Sequence, residues 1–214
     1  LAINLRFEGC VTLSDVIKFT AYHGTCSKYR PSIERFGFSP DQVAYREDHW
    51  LGQGVYFFES KELAEWWAND QSRKPWNKGT QPLVYSCNIS VSPDQYLDLD
   101  NAHSMDNFLD YCTQLIRRID EDDSLPQKPV FTDKKFRALL FDYYKEANNI
   151  SVIAHTFQKK RTSFAKKRSS AELDFVVLLE SVLDIGYKER QICVSSKACL
   201  GPPVLARRDD EEVI

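Results

Sequence analysis

Two short motifs of the chain place an aromatic side chain with a polar tip beside glycine. The first is His-Gly-Thr at 23–25, and the second is Gly-Val-Tyr-Phe at 54–57. Glycine lets a ligand approach the main chain closely. His and Tyr can grip a flat ligand that makes hydrogen bonds. The two motifs therefore predict a small cleft with exposed backbone at its floor.

A third polar group stands late in the chain. Glu189 and Gln191 precede the apolar run Ile-Cys-Val at 192–194. Residues two apart on a strand point to the same face. Glutamine can donate to and accept from a hydroxyl, whereas a glutamate carboxylate can also stabilise positive charge. The sequence leaves open which of the two would bind a ligand.

In order and spacing these motifs resemble the ADP-ribosyltransferase superfamily, in the branch related to poly(ADP-ribose) polymerases and diphtheria toxin. That branch binds NAD with a His-Tyr-Glu triad carried on three strands of a split β-sandwich. His23 and Tyr56 match the first two members of the triad. The third departs from the family, because Gln191 directly precedes the late strand and Glu189 lies two residues earlier. The resemblance covers about 20–70 and, more loosely, 185–200.

The resemblance implies an α+β fold, a split β-sandwich with peripheral helices. It also implies a toxin-like glycosyltransferase that moves ADP-ribose from NAD, its co-substrate, to a protein or nucleic acid and releases nicotinamide. The implied catalytic residues are His23, Tyr56, Gln191 and Glu189. The implied NAD-binding residues are His23, Gly24, Thr25, Gly54, Tyr56, Ser60, Trp66 and Trp67. In this scheme Gly24 binds the carboxamide, His23 the adenosine-side ribose, and Tyr56 stacks on the nicotinamide.

A helix is expected to follow the second motif, with Ser60 as its N-cap. The family stacks an aromatic residue two positions after a helical Ala, and Ala64 makes that residue Trp66. Leu63 replaces the serine that the family uses to bind the nicotinamide amide. The Trp residues could equally belong to the core.

Two other functions share the predicted fold. One is a non-catalytic module that binds NAD, ADP-ribose or a protein partner, and the imperfect third motif favours it. The other is an RNA 2′-phosphotransferase, which would need a basic cleft that His23-Gly24-Thr25 does not provide.

The helices, strands and loops that hold the motifs can be predicted only coarsely from the sequence. We expect one domain over 1–214, with a helical insertion at about 104–147 that begins at Ser104. Ile33 and Phe36 should share the buried face of a short early helix, and 51–58 should form a strand. The loop 39–50 is a candidate lid over bound NAD. Asp98 and Asp100 could form a paired-carboxylate site, but solvation of a loop is the favoured interpretation.

Basic residues cluster in the segment from Lys159 to Arg168, with Phe164 among them. Basic and aromatic side chains together can bind a nucleic-acid acceptor. A solvated loop is the other interpretation.

The composition limits the classes of function and location that the sequence supports. The 214 residues are 43% hydrophobic and 28% charged, with net charge −3, so overall charge gives no argument for nucleic acid. Six scattered cysteines favour unpaired thiols and no metal site. No run of 18 apolar residues exists, so we expect no membrane span and a reducing, cytoplasmic setting.

Overall fold

The computed structural model describes residues 16–47, 49–122, 134–159 and 187–206. Seven strands and four α-helices lie in these ranges. The strands are β1 (Ile17–Cys26), β2 (Val55–Phe58), β3 (Pro82–Val91), β4 (Tyr96–Asp98), β5 (Val152–Lys159), β6 (Tyr187–Val194) and β7 (Val204–Leu205). The helices are α1 (Arg30–Phe36), α2 (Lys61–Ser72), α3 (Ala102–Glu121) and α4 (Lys134–Asn148).

All the strands join one sheet in the order β4-β5-β6-β2-β1-β3-β7. The pairs are antiparallel except β4–β5, which is parallel. The described residues therefore form an α+β fold on a mixed sheet. The three strands that carry the sequence motifs, β1, β2 and β6, are neighbours in its centre.

Alternation along the strands divides the core into two sides. Tyr56 and Phe58 face the layer that contains α2, α3 and α4, whereas Val55 and Phe57 face the layer that contains α1. The side chains under α1 and its flanking segments include Ala21, Ile33, Phe38, Phe57, Tyr85, Ile89, Val152, Ile192 and Val194. Both faces of the central strands are thus buried.

Strand β2 is shorter than the sequence predicts, because it begins at Val55 and not at residue 51. Gly52 has φ 77°, a conformation that only glycine adopts readily. The Tyr56 hydroxyl accepts a hydrogen bond from Leu51 N and donates one to Gly52 O. The N–H of Leu51 and the C=O of Gly52 are therefore hydrogen-bonded to the Tyr56 hydroxyl, whereas in a longer strand they would bind a neighbouring strand.

Two helix predictions need correction. In α1, Ile33 is buried but Phe36 is 48% exposed, so the two do not share a buried face. Helix α3 begins two residues before Ser104, because the Asn101 side chain accepts from Ser104 N and caps it. Helices α3 and α4 lie at the expected helical segment of about 104–147. The predicted cap Ser60 is confirmed, since its hydroxyl accepts from Leu63 N at 3.2 Å.

Further outcomes concern cysteines and membranes. Cys26, Cys87, Cys112, Cys193 and Cys199 are buried free thiols, as predicted for them. Within the described ranges, no helix combines the length and apolarity needed to cross a bilayer. The basic segment 159–168 lies outside the described residues except for its first position, at the end of β5.

Candidate functional site

The sheet opens between β1 and β2. Their ladder, within the described residues, contains the single pair Tyr22–Phe58. The carbonyl oxygen of Tyr56 lies 2.8 Å from His23 Nδ1, so Tyr56 and Phe58 both direct their main-chain groups towards β1. By the antiparallel alternation Tyr22 and Gly24 direct theirs towards β2. Gly24 and Tyr56 would form the next pair, but no such pair forms, and His23 binds the Tyr56 carbonyl instead. We call this break in the ladder beside the buried Gly24 the gap.

His23 is fixed in one neutral form at this gap. A carbonyl oxygen only accepts, so Nδ1 carries the hydrogen and Nε2 is left as an acceptor. Burial lowers the pKa of His23 below its usual 6.5, and the bond to Tyr56 raises it by less. The rings of Phe38 and Phe57 pack edge-on to the imidazole at 5.0 and 5.8 Å.

The main chain of helix α2 packs closely against Gly24 of β1. A Cβ on Gly24 would overlap the carbonyl oxygen of Ala64 and would lie 3.1 Å from Ala68 N. Only glycine allows this approach. Thr25, the next residue of β1, is buried beside it.

The ring of Tyr56 lies beside the gap on strand β2, and its hydroxyl is hydrogen-bonded to the protein's own main chain. The hydroxyl binds Leu51 N at 2.7 Å and Gly52 O at 2.8 Å. Burial raises the pKa of Tyr56, so the phenol stays protonated and can donate. Its ring lies 5.1 Å from that of His49. The half-buried ring is therefore oriented by the turn at 51–54.

The turn at 51–54 also packs against strand β6. A Cβ on Gly54 would lie 2.6 Å from Cys193 Sγ and 2.7 Å from Val194 O. The thiol donates weakly to Gln53 O at 3.5 Å. Burial raises the pKa of Cys193 to about 11, so it stays a thiol. Gly54 thus serves close packing of the turn on β6.

Helix α4 clamps the same turn through an ion pair. Asp142 Oδ1 accepts from Gln53 N at 2.7 Å, and Lys145 Nζ donates to Gln53 O at 2.6 Å. The two charged groups are 2.8 Å apart, and Lys145 is only 7% exposed. This clamp could not be predicted from the sequence, because the spacing of two residues in a distant helix does not reveal what they bind.

The third motif lies on β6 as its spacing predicts. Gln191 is the register partner of Phe58, and Cys193 that of Tyr56. Gln191 Nε2 donates to Glu189 Oε1, so both side chains occupy one face. Glu189 is fully buried. The amide nitrogen of Gln191 is therefore occupied, whereas its oxygen makes no hydrogen bond within the described chain.

The residues of the predicted triad lie on neighbouring strands of the sheet, but their side chains point to different faces of it. Tyr56, Glu189 and Gln191 lie on the face of α2–α4, and His23 lies on the face of α1. His23 reaches Tyr56 only at its main-chain carbonyl. The structure thus brings three strands together around a gap, with groups from both faces at its edge.

The two tryptophans of α2 differ in position. Trp67 is partly buried and its ring lies 6.3 Å from that of Phe58. Trp66 is 52% exposed, and its ring lies 6.4 Å from Trp67. Of the two, Trp67 lies closer to β2 and so to the gap.

The interpretation of Asp98 and Asp100 as solvating a loop is wrong. Arg190 donates to Asp98 Oδ2 at 2.8 Å and also binds Asp100. Burial opposes the charge of Arg190, but the hydrogen bond and attraction of Asp98, with Tyr96 and Asp100, outweigh it and raise its pKa. Arg190 alternates with Glu189 and faces the other side of β6. The pairing of β4, β5 and β6 that joins these residues was not readable from local sequence.

Beside the N-terminus of α2, a cleft of about 350 Å³ lies at the ends of β2, β5 and β6. It is lined by Glu59, Ser60, Glu62, Leu63, Thr156, Lys188 and Arg190. Its acidic and basic side chains balance, so it is not a basic phosphate cradle.

Comparison of the chain with protein families, with characterised proteins and with solved structures gives no match. In the described ranges, no three His, Cys, Asp or Glu residues are grouped as metal ligands.

Proposed function

We propose that the chain is an NAD-dependent ADP-ribosyltransferase that moves ADP-ribose to a macromolecular acceptor and releases nicotinamide. The observation that carries this proposal is the gap, the break in the β1–β2 ladder at which Gly24 has no ladder partner on β2. A primary carboxamide has a donor and an acceptor, so nicotinamide can pair with the N–H and C=O of Gly24. On this proposal the parting of β1 and β2 is the split of a split β-sandwich.

The edges of the gap offer further groups suited to NAD. The Tyr56 ring borders the gap on β2 and supplies an aromatic face for the nicotinamide. His23 Nε2 can accept from a hydroxyl of the adenosine-side ribose. A ligand in the gap passes between the strands, so it can reach groups on both faces of the sheet.

At the third position Gln191 is the group that meets the reacting ribose. Its amide nitrogen donates to Glu189, which leaves Oε1 to accept from a ribose hydroxyl. A carboxylate at Glu189, one hydrogen bond behind, polarises the amide and favours the positive charge that develops on the sugar. Glu189 acts on the sugar through Gln191, because it is fully buried.

The reaction breaks the bond between C1′ of the ribose and the pyridinium nitrogen. The electron pair of that bond goes to the nitrogen, so neutral nicotinamide leaves. An acceptor atom then bonds C1′. The protein contributes by holding both ends of the breaking bond in place.

The acceptor is a protein or nucleic acid. The basic segment from Lys159 to Arg168 is the candidate contact for a nucleic-acid acceptor, because its cations can neutralise phosphates. The loop 39–50, which brings His49 onto Tyr56, is the candidate lid.

The test is release of nicotinamide from NAD, followed by chromatography, together with mass spectrometry of protein and nucleic acid offered as acceptors. We expect release by the parent and at least a tenfold loss in Gln191→Ala, about 1.4 kcal/mol of transition-state stabilisation. Asn107→Ala on the exposed face of α3 is the control and should match the parent. An inactive parent that fails to bind NAD would contradict the proposal.

A second candidate is a module of the same fold that binds NAD or ADP-ribose without catalysis. The burial of Glu189 favours it, because no carboxylate of the third motif lies open at the gap. A parent that binds NAD in calorimetry but never releases nicotinamide would establish this second function.

A further inference from the structure

His155 stands beside the third motif, outside the groups that would bind NAD. It is the register partner of Gln191 across β5 and β6. Partners in an antiparallel ladder have Cβ atoms about 4.5–5.5 Å apart. His155 Nδ1 lies 2.9 Å from Asp100 Oδ1. An imidazole backed by a carboxylate thus neighbours the group that would hold the reacting ribose.

Asp100 is itself firmly placed. Its two oxygens accept from Thr156 N at 2.9 Å and from Thr156 Oγ1 at 2.6 Å, and Arg190 binds it as well. Partial burial raises the pKa of Asp100, but these hydrogen bonds, Arg190 and His155 outweigh burial and lower it. Asp100 is therefore ionised at neutral pH, and its charge lies beside Nδ1 of the imidazole.

The carboxylate also favours one tautomer of His155. Asp100 Oδ1 lies 2.9 Å from Nδ1 but is not aligned for a hydrogen bond with it. The negative charge beside Nδ1 favours the form with its hydrogen there, which leaves the lone pair on Nε2. Nε2 has no hydrogen-bond partner in the described part of the chain, and the side chain is 27% exposed. Phe157 packs against the ring at 4.8 Å, and Trp50 packs on Phe157 at 4.6 Å. The ring is supported on one side and has a free proton acceptor.

We propose that His155 is the general base of the transfer and that Asp100 is its positioning residue. This inference rests on the proposed function. As the bond between C1′ and nicotinamide breaks, an acceptor oxygen bonds C1′ and its proton passes to Nε2 of His155. The proton is then released to water, so NAD⁺ and an alcohol give the ADP-ribosyl O-glycoside, nicotinamide and H⁺.

The acceptor class follows from this role. A hydroxyl must lose its proton on attack and gains from a base beside the ribose. A carboxylate carries no such proton at neutral pH. The arrangement of His155 therefore favours a hydroxyl over a carboxylate of the macromolecular acceptor, and water is its simplest substitute.

The experiment compares water with azide as nucleophile in nicotinamide release. Azide is already an anion and needs no base. We expect His155→Gln to lose at least tenfold in water and to recover most of the parental rate with azide, giving ADP-ribosyl azide. Asp100→Asn should lose about three- to tenfold and recover likewise. His103→Gln, an exposed histidine on α3, should match the parent with both nucleophiles.

Calorimetric NAD affinity and thermal unfolding are measured for each variant, and Asp100→Asn carries the test if His155→Gln does not fold. Parental rates in water for both variants would overturn the inference and leave the proposed function standing. Loss in water without recovery by azide would overturn it too, because a purely structural role predicts that result. A parent that binds NAD but releases nicotinamide with neither nucleophile would refute both proposals.

Discussion

The ammonium of Lys145 lies 2.6 Å from the carbonyl oxygen of Gln53, and this contact ties helix α4 to the turn that leads into β2. Asp142 completes the clamp by accepting from the N–H of the same Gln53. The orientation of Tyr56 therefore depends on two helix residues that lie more than 80 positions further along the sequence.

Replacing Lys145 with methionine should destabilise the fold by about 1–3 kcal/mol, because Gln53 O and Asp142 lose a nearly buried partner. Urea unfolding measures the change. Lys74→Met is the matched control, since Lys74 and Asp70 form an exposed helical pair 3.0 Å apart, and it should cost less than about 0.5 kcal/mol. Equal losses in the two variants would show that the clamp does not hold the turn.

Exchange of Gln191 for glutamate introduces the third residue of the triad that the sequence resembles but sets it against Glu189. Two adjacent buried carboxylates repel, so Gln191→Glu should lower the free energy of unfolding by about 1–3 kcal/mol at neutral pH. The double change Glu189→Gln with Gln191→Glu rebuilds the amide–carboxyl pair and should regain most of the loss. A single variant as stable as the parent would contradict the contact between these side chains.

The burial of His23 predicts a pH dependence of stability. Its pKa is lowered from 6.5 in the folded protein, so below pH 6.5 the unfolded chain binds a proton that the folded chain does not. Stability should therefore be full above pH 6.5 and fall as the pH drops towards the folded pKa, by about 1.4 kcal/mol for each unit of lowering. Unfolding titrations from pH 7.5 to 5 measure it. His23→Gln should lose this component and His103→Gln should keep it, whereas parallel curves for the parent and His23→Gln would contradict the assignment.

The ring and the hydroxyl of Tyr56 have separable roles. Tyr56→Ala should weaken NAD binding about fivefold, for about 1 kcal/mol of ring contact. Tyr56→Phe keeps the ring and should bind NAD within about threefold of the parent, while the loss of the bonds to Leu51 and Gly52 costs about 1–2 kcal/mol of stability. Calorimetry and urea unfolding measure both, and unchanged affinity in a folded Tyr56→Ala would remove the ring from the site. Tyr143→Phe, on an exposed tyrosine of α4, is the control.

Replacing the lysines and arginines of segment 159–168 with serine should weaken binding of a nucleic-acid acceptor. The slope of log affinity against log salt should flatten, by about 0.7–0.9 for each phosphate that the segment no longer neutralises. Hydrolysis of NAD should persist. An unchanged salt slope would favour the interpretation of the segment as a solvated loop.

Local sequence was enough to predict features that depend on neighbours in the chain. The cap at Ser60 and the shared face of Glu189 and Gln191 follow from spacing alone. The short β2 was missed because the Tyr56 hydroxyl binds the backbone that a strand would have used. The partners of Arg190 were missed because they depend on strand order, which no local pattern encodes.

The close approach of Gly24 to Ala64 has a consequence for how the gap can discriminate among ligands. On the proposed function, a ligand beside Gly24 contacts main chain, which has no rotamers, so it orders no side chain and meets a surface of fixed shape. Substitutions elsewhere on α2 leave that surface unchanged, because it consists of peptide groups. Substitutions that change ligand preference are then expected at Tyr56 and Gln191, where side chains supply the contacts.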